Sequence, residues 1–248
     1  RSVLAVLYLV FNEGYSATAG DDWARPALCG EALRLGRVVA ELAPGDPEVH
    51  GLVALMELQS SRLRARVGPS GEAVRLAEQD RARWDQLLIG RGLAALRRAE
   101  SLGGEPGPYE LQAAIAACHA RARLPGETDW AQVARLYARL IERTGSPIVR
   151  LNHAVAVGMA EGPAAGLALV DALMTEGELD SYHYAPSVRG DLLEKLGRTA
   201  EARVEFDRAA GLTRNARERD LLLARAAGCG EAAPPVPARN LEPPGRGR

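Results

Sequence analysis

Histidine and cysteine are the side chains of this sequence best suited to metal or nucleophilic chemistry, and their spacing favours neither. His50, His119, His153 and His183 lie in separate segments, with no HExxH and no His/Cys pair at ligand spacing. Cys29, Cys118 and Cys229 are odd in number and contain no CxxC. The pattern therefore writes neither a disulfide framework nor a thiolate zinc site, and a reducing cytoplasm is the simplest setting. Cys118 beside His119 has the residue types of a thiolate–imidazole nucleophile. Adjacent positions on a helix point about 100° apart, however, which favours packing over chemistry. No GxGxxG, GxxxxGKS/T or GxSxG occurs, so phosphate cradles and nucleophile elbows are not encoded and no cofactor is expected. Glu13, Asp21 and Asp22 could hold a cation, but negative charge at a helix N-terminus explains Asp21 and Asp22 more simply. Arg62, Arg64 and Arg66 form a compact basic cluster without interleaved aromatics, and Glu57, Glu72, Glu78 and Asp80 can balance it. This reads as a solvated charged face.

Another set of side chains is polar or aromatic in otherwise apolar helical surroundings. It comprises Asn12-Glu13-Gly14-Tyr15, Gln79-Asp80-Arg81 with Arg83 and Trp84, Tyr109 with Gln112, Asp129-Trp130, Asn152, and Tyr182-His183-Tyr184. In a helical solenoid the first helices of successive pairs line a groove, where side-chain amides can hold a partner's backbone. Asn152, two residues before the small Ala154, stands where such an amide is useful. The competing reading makes Asp129 an N-cap, Trp84 and Trp130 core, and the tyrosines partners of buried backbone. Asn12, Glu13, Tyr15, Asp80, Arg81, Tyr109 and Asn152 are the candidate interaction residues, the first three on a short loop after a buried helix.

Helices must position these residues. Apolar positions recur at helical spacing nearly throughout, and no useful window alternates as a half-buried strand does. Leu28, Ala32, Leu35, Val39 and Leu42 form one stripe, stopped by Pro44-Gly45-Asp46-Pro47; Val49, Leu52, Val53 and Met56 begin the next. The pattern lapses at Gly68-Pro69-Ser70-Gly71, where a small hairpin near 66–76 is expected. Further helices are predicted around 81–100, 108–123, 129–144, 147–160, 163–175, 183–196, 199–211 and 215–227, separated by Gly and Pro. Ten or eleven helices with short connections imply stacked antiparallel neighbours.

Gly190, Leu193, Ala202, Phe206 and Ala209 repeat the spacing of Ala154, Val157, Gly166, Val170 and Leu173, about 36 residues apart, near the 34-residue tetratricopeptide period. A third echo lies in Ala32, Gly36, Val39 and Pro44. The expected fold is therefore all-α: a tetratricopeptide-like solenoid of helical pairs, irregular in its middle, over residues 1–230. The stretch 231–248 (EAAPPVPARNLEPPGRGR) reads as a flexible tail.

Apolar content of 47%, charged content of 25% and a net charge of −1 over 248 residues exclude a disordered chain and disfavour a nucleic-acid binder by bulk charge. All but Lys195 of the 31 basic residues are arginine. Residues 3–11 (VLAVLYLVF) are too short to span a bilayer, and a buried first helix is preferred to a signal peptide ending near Ala17-Thr18-Ala19.

Ordered blocks carry a family resemblance: LVFNEGY at 9–15, EALRLGRVVAELAPGDPEVHGLVALMEL at 31–58, EQDRARWD at 78–85, GPYELQAAIAACHA at 107–120, TDWAQVARLY at 128–137 and SPIVRLNHAVAV at 146–157. From about residue 3 to 227 the chain resembles the C-terminal extension of a group of bacterial extracytoplasmic-function sigma factors. His153 departs from that family's LNRAVAV form. The resemblance implies a non-catalytic regulatory domain that contacts the sigma core domains, RNA polymerase or a signalling protein. DNA contact would fall to N-terminal sigma domains not visible here, and no membrane is implied. The second expectation is a free-standing peptide-binding adaptor; the third is an enzyme with a site between helices.

Overall fold

A computed structural model describes residues 2–15, 24–69 and 74–229. The expected tail at 231–248, the tip of the expected hairpin at 70–73 and Asp21, Asp22 and the Ala17–Ala19 stretch lie outside the described residues. The described chain is all-α. Its helices are α1 (Ser2–Tyr15), α2 (Pro26–Leu42), α3 (Pro47–Ser60), α4 (Gln86–Leu102), α5 (Pro108–Arg121), α6 (Trp130–Thr144), α7 (Pro147–Glu161), α8 (Pro163–Thr175), α9 (Tyr184–Lys195), α10 (Thr199–Leu212) and α11 (Ala216–Gly228). Each packs on its neighbour in sequence, giving the helical-repeat solenoid that the periodicity implies.

Local chemistry sets the helix ends. Proline opens α2, α3, α5, α7 and α8, where its missing N–H costs nothing. Asp46, Asp85, Asp129 and Asn215 cap α3, α4, α6 and α11 by accepting hydrogen bonds from first-turn N–H groups. Asp129 is thus an N-cap. Gly145 ends α6 with φ 60, a left-handed conformation that glycine adopts without steric cost.

Four apolar clusters run along the solenoid. Phe11, Cys29, Ala32, Leu52 and Met56 join α1 to α3, and Ala54, Leu58, Trp84, Leu96 and Ala113 join α3 to α5. Leu111, Val133, Leu140 and Ala156 carry the core into α7, and Leu151, Val170, Leu193, Phe206 and Leu222 carry it to α11. Small residues permit the close crossings. A Cβ on Gly166 would lie 2.8 Å from the Ala154 carbonyl oxygen, so this pair meets as the repeat requires. In the next pair Gly190 meets the Phe206 ring: its Cβ would lie 2.7 Å from Phe206 Cε1.

Three local expectations are corrected. The buried stripe of α2 is Cys29, Ala32, Leu33 and Gly36, whereas Leu35 and Leu42 are exposed, because α2 turns Gly36 toward Met56 of α3. The helix expected from 81 begins at Gln86; Arg81–Arg83 is a single 3-10 turn, followed by the Asp85 cap. No strand forms in the described arms of the 66–76 segment, which a Val74 N–H bond to the Arg66 carbonyl joins at 2.8 Å.

Candidate functional site

The odd-numbered helices form the inner layer of the solenoid. Tyr8 and Asn12 of α1, Gln59 of α3, Gln112 of α5 and Asn152 of α7 line one cavity of this concave side. Asn152 also lines a second cavity, with Tyr184, Val188 and Asp191 of α9. The described parts of the segment between α3 and α4, residues 61–69 and 74–85, border this concavity. Arg62 and Leu76 from it border both cavities. Arg75 anchors the segment, paired with Glu78 beside it and 3.4 Å from Asp191 of α9.

The candidate residues separate into distinct environments. Asn12, Glu13 and Tyr15 occupy the last turn of α1, not a loop, because buried Phe11 and Gly14 extend its packed face; a Cβ on Gly14 would lie 2.7 Å from the Cys29 nitrogen. Asn12 bonds to Tyr8, whose hydroxyl donates to Gln112 Oε1 at 2.7 Å. Burial pushes the Tyr8 phenol above its ordinary range. Glu13 forms an ion pair with Arg25 at 2.9 Å. Tyr15 stacks on Phe11 and carries Arg66 over its ring at 3.8 Å, with Arg62 at 5.6 Å.

Arg81 is not a surface residue. It is 9% exposed, and it donates to the carbonyls of His119 and Ala122 at 2.7 and 2.8 Å and to Thr128 Oγ1 at 3.0 Å. It thereby ties the end of α5 to the turn before α6. Burial, then the cations of Arg62, lowers its pKa. Asp80 is exposed and caps the 3-10 turn through Ala82 N–H at 3.0 Å. Tyr109 is half-buried in the first turn of α5; its N–H donates to Glu48 and its ring meets Tyr8 edge-on. Asn152 is exposed toward the groove and has no hydrogen-bond partner among the described residues.

The structure thus brings Asn12, Tyr15 and Asn152 to the groove, makes Arg81 part of the interior, and leaves Asp80 and Glu13 at the surface. Arg62 and Arg66 are the groove residues the charge pattern concealed. The cluster at 62–66 is split: Arg64 is exposed, while Arg62 and Arg66 turn inward over Tyr15. Their i, i+4 spacing was the available signal.

The Cys118-His119 pair is poorly set for nucleophilic work. Burial pushes the Cys118 thiol up and, with the fields of Arg62 and Arg81, holds the His119 imidazole down to about 3. At neutral pH both groups are uncharged. His119 instead meets Trp130 edge-on, its ring 5.1 Å away. His183 lies 2.9 Å from Glu218 and links α9 to α11. No three His, Cys, Asp or Glu side chains among the described residues are grouped to hold a metal ion. No described helix is long and apolar enough to cross a membrane.

With this geometry in place, known proteins give two likenesses. Residues 1–100 match a family of unknown function, DUF6596. That span covers α1 to most of α4, including the segment between α3 and α4 and both groove arginines. Over 218 residues the chain is 49% identical to an uncharacterized protein of Rhizobium meliloti (strain 1021), a match that covers 88% of this chain and 51% of the relative. The chain therefore spans about half the length of the curated relative it matches.

Proposed function

We propose that this chain is a non-catalytic regulatory domain of an alternative sigma factor of the extracytoplasmic-function type. It modulates promoter-specific initiation through contacts with the sigma core, RNA polymerase or a signalling partner in the cytoplasm. DNA contact belongs to sigma domains outside these residues. The resemblance of the ordered sequence blocks supplies the sigma assignment, and an exposed apolar helix face supports an interaction role.

The observation that carries the reading is the apolar face of the first helical pair. Val3, Val6 and Leu9 of α1 are 59%, 58% and 67% exposed, on the side away from buried Leu4, Leu7 and Phe11. Leu35 and Leu42 of α2 are exposed as well. An exposed apolar helix face of this kind is suited to receive a partner.

The test uses the longer factor that contains these residues. Val6→Glu with Leu9→Glu should change promoter-specific transcription, while the 248-residue chain carrying both substitutions keeps its helicity and melting temperature. Glu13→Ala with Tyr15→Ala probes the adjoining groove edge in the same assay. Unchanged transcription after deletion of the whole region would refute the regulatory role.

A further inference from the structure

The inner helices α1, α3 and α5 pack in succession, as do α7 and α9, but α5 and α7 barely touch. Their parting opens a chamber of about 590 Å³ that reaches Tyr137 and Leu140 of α6 and is bounded by Arg62 of the segment between α3 and α4. That volume lies within the range of small-molecule sites. Ile115, Leu140 and Val149 give it an apolar wall.

The chamber's charge is one-sided. Arg62 is the single charged side chain among its described lining residues, and none of them is acidic. Among the described residues Arg62 has no carboxylate partner; its recorded contact is the distant Tyr15 ring. Its field nevertheless reaches across the chamber: burial and then Arg62 lower the His119 pKa, and burial raises the Tyr137 phenol while Arg62 opposes it. A second group is also unsatisfied. His119 is 8% exposed and borders the chamber, but its Nδ1, without a hydrogen-bond partner among the described residues, is sealed from it. A half-buried cation without a counter-ion and a buried imidazole nitrogen without a partner are each costly. One anion entering the chamber would relieve the first.

We propose that this chamber binds a small organic monoanion, with its carboxylate on the Arg62 guanidinium and its apolar body against Ile115, Leu140 and Val149. A guanidinium receives a carboxylate through two parallel N–H bonds, which fixes the ligand's direction as well as its charge. Asn152, at the mouth, offers a further amide to the anion. Because the ligand would touch α5, α6, α7 and the α3–α4 segment at once, its binding would stiffen the point where the inner layer is parted.

The 248-residue chain can be titrated calorimetrically with phenylacetate, and with 2-phenylethanol as a neutral probe of similar shape. Saturable binding of phenylacetate is expected at millimolar concentration or below, with 2-phenylethanol at least about tenfold weaker. Arg62→Gln should weaken phenylacetate by at least about tenfold, and Arg64→Gln, on the exposed side of the same segment, should leave it unchanged. Should Arg62→Gln fail to fold, the preference of the unaltered chain for the anion over the neutral probe still decides. The proposal is overturned if phenylacetate shows no saturable binding, if the two probes bind alike, or if a folded Arg62→Gln chain binds as well as the original. A blocked peptide carrying glutamate separates the two sources of a carboxylate: binding of that peptide through Arg62, without binding of phenylacetate, overturns a free small ligand in favour of a partner's side chain.

Discussion

Arg81 and Arg62 bring the same charge into the same interior with opposite degrees of satisfaction. Three acceptors hold Arg81, so its removal strands two carbonyls and a hydroxyl that nothing else reaches. Arg81→Gln should therefore destabilise the chain by about 2 to 4 kcal/mol, read from urea unfolding. A loss below about 0.5 kcal/mol would mean that water replaces those bonds. His119 lies one step further along the same network. Its folded-state pKa of about 3 is below the unfolded value of 6.5, so between those values the unfolded chain binds a proton that the folded chain refuses. Stability from this group is complete above about pH 6.5 and falls as pH drops toward 3. His119→Gln should flatten the dependence of unfolding free energy on pH between pH 6 and 4 by about 1.4 kcal/mol per unit. Equal slopes in the two proteins would place a protonated imidazole inside the fold.

At the scale of the helices, close approach is set by glycine in some places and not in others. A Cβ on Gly51 of α3 would lie 2.7 Å from the Glu110 nitrogen and 2.9 Å from its Cα, against the backbone of α5, which has no flexible end to move. Gly51→Ala should cost about 1 to 3 kcal/mol by overpacking. Gly90 is exposed within α4 and a Cβ there meets nothing within 4 Å, so Gly90→Ala should stabilise by about 0.5 to 1 kcal/mol through helix propensity. Thermal melts of the two variants should shift in opposite directions, and a shared direction would mean that the α3–α5 register differs. The helices themselves were legible because Pro and Gly punctuate them and apolar positions recur at helical spacing; α8 runs from Pro163 to Thr175 as that spacing predicts. What pattern alone missed was rotation and path. The α2 stripe appeared to include Leu35 and Leu42 because an uncovered apolar face has the same periodicity as a buried one. The paths of residues 61–69 and 74–85 were hidden because they are fixed by contacts between Arg66 and Tyr15, and Arg75 and Asp191, that are remote in sequence. For the same reason Asn152 could be placed at the groove from its repeat position, whereas Arg62, which has no repeat position, could not.

The whole molecule carries a net charge of −1, and many of its cations are paired with its own carboxylates. Arg150 pairs with Glu176, Arg189 with Asp171 and Glu205, and Arg225 with Asp191 and Glu194. Arg62 and Arg66, which lack such partners among the described residues, lie in a concavity rather than on a convex stripe. Duplex DNA is a rod of regularly spaced phosphates, and tight binding requires several cations displayed together on an accessible face. The paired cations are not free for such a face, and a net charge of −1 works against one. The 248-residue chain alone should therefore bind promoter DNA with no sequence preference, and only weakly at physiological salt. Fluorescence anisotropy with a promoter duplex and a scrambled duplex, repeated as salt is raised, checks this. Equal, weak curves that vanish together with salt are expected. A promoter-specific complex that survives physiological salt would move DNA recognition into the solenoid and remove the division of labour on which the proposed regulatory role depends.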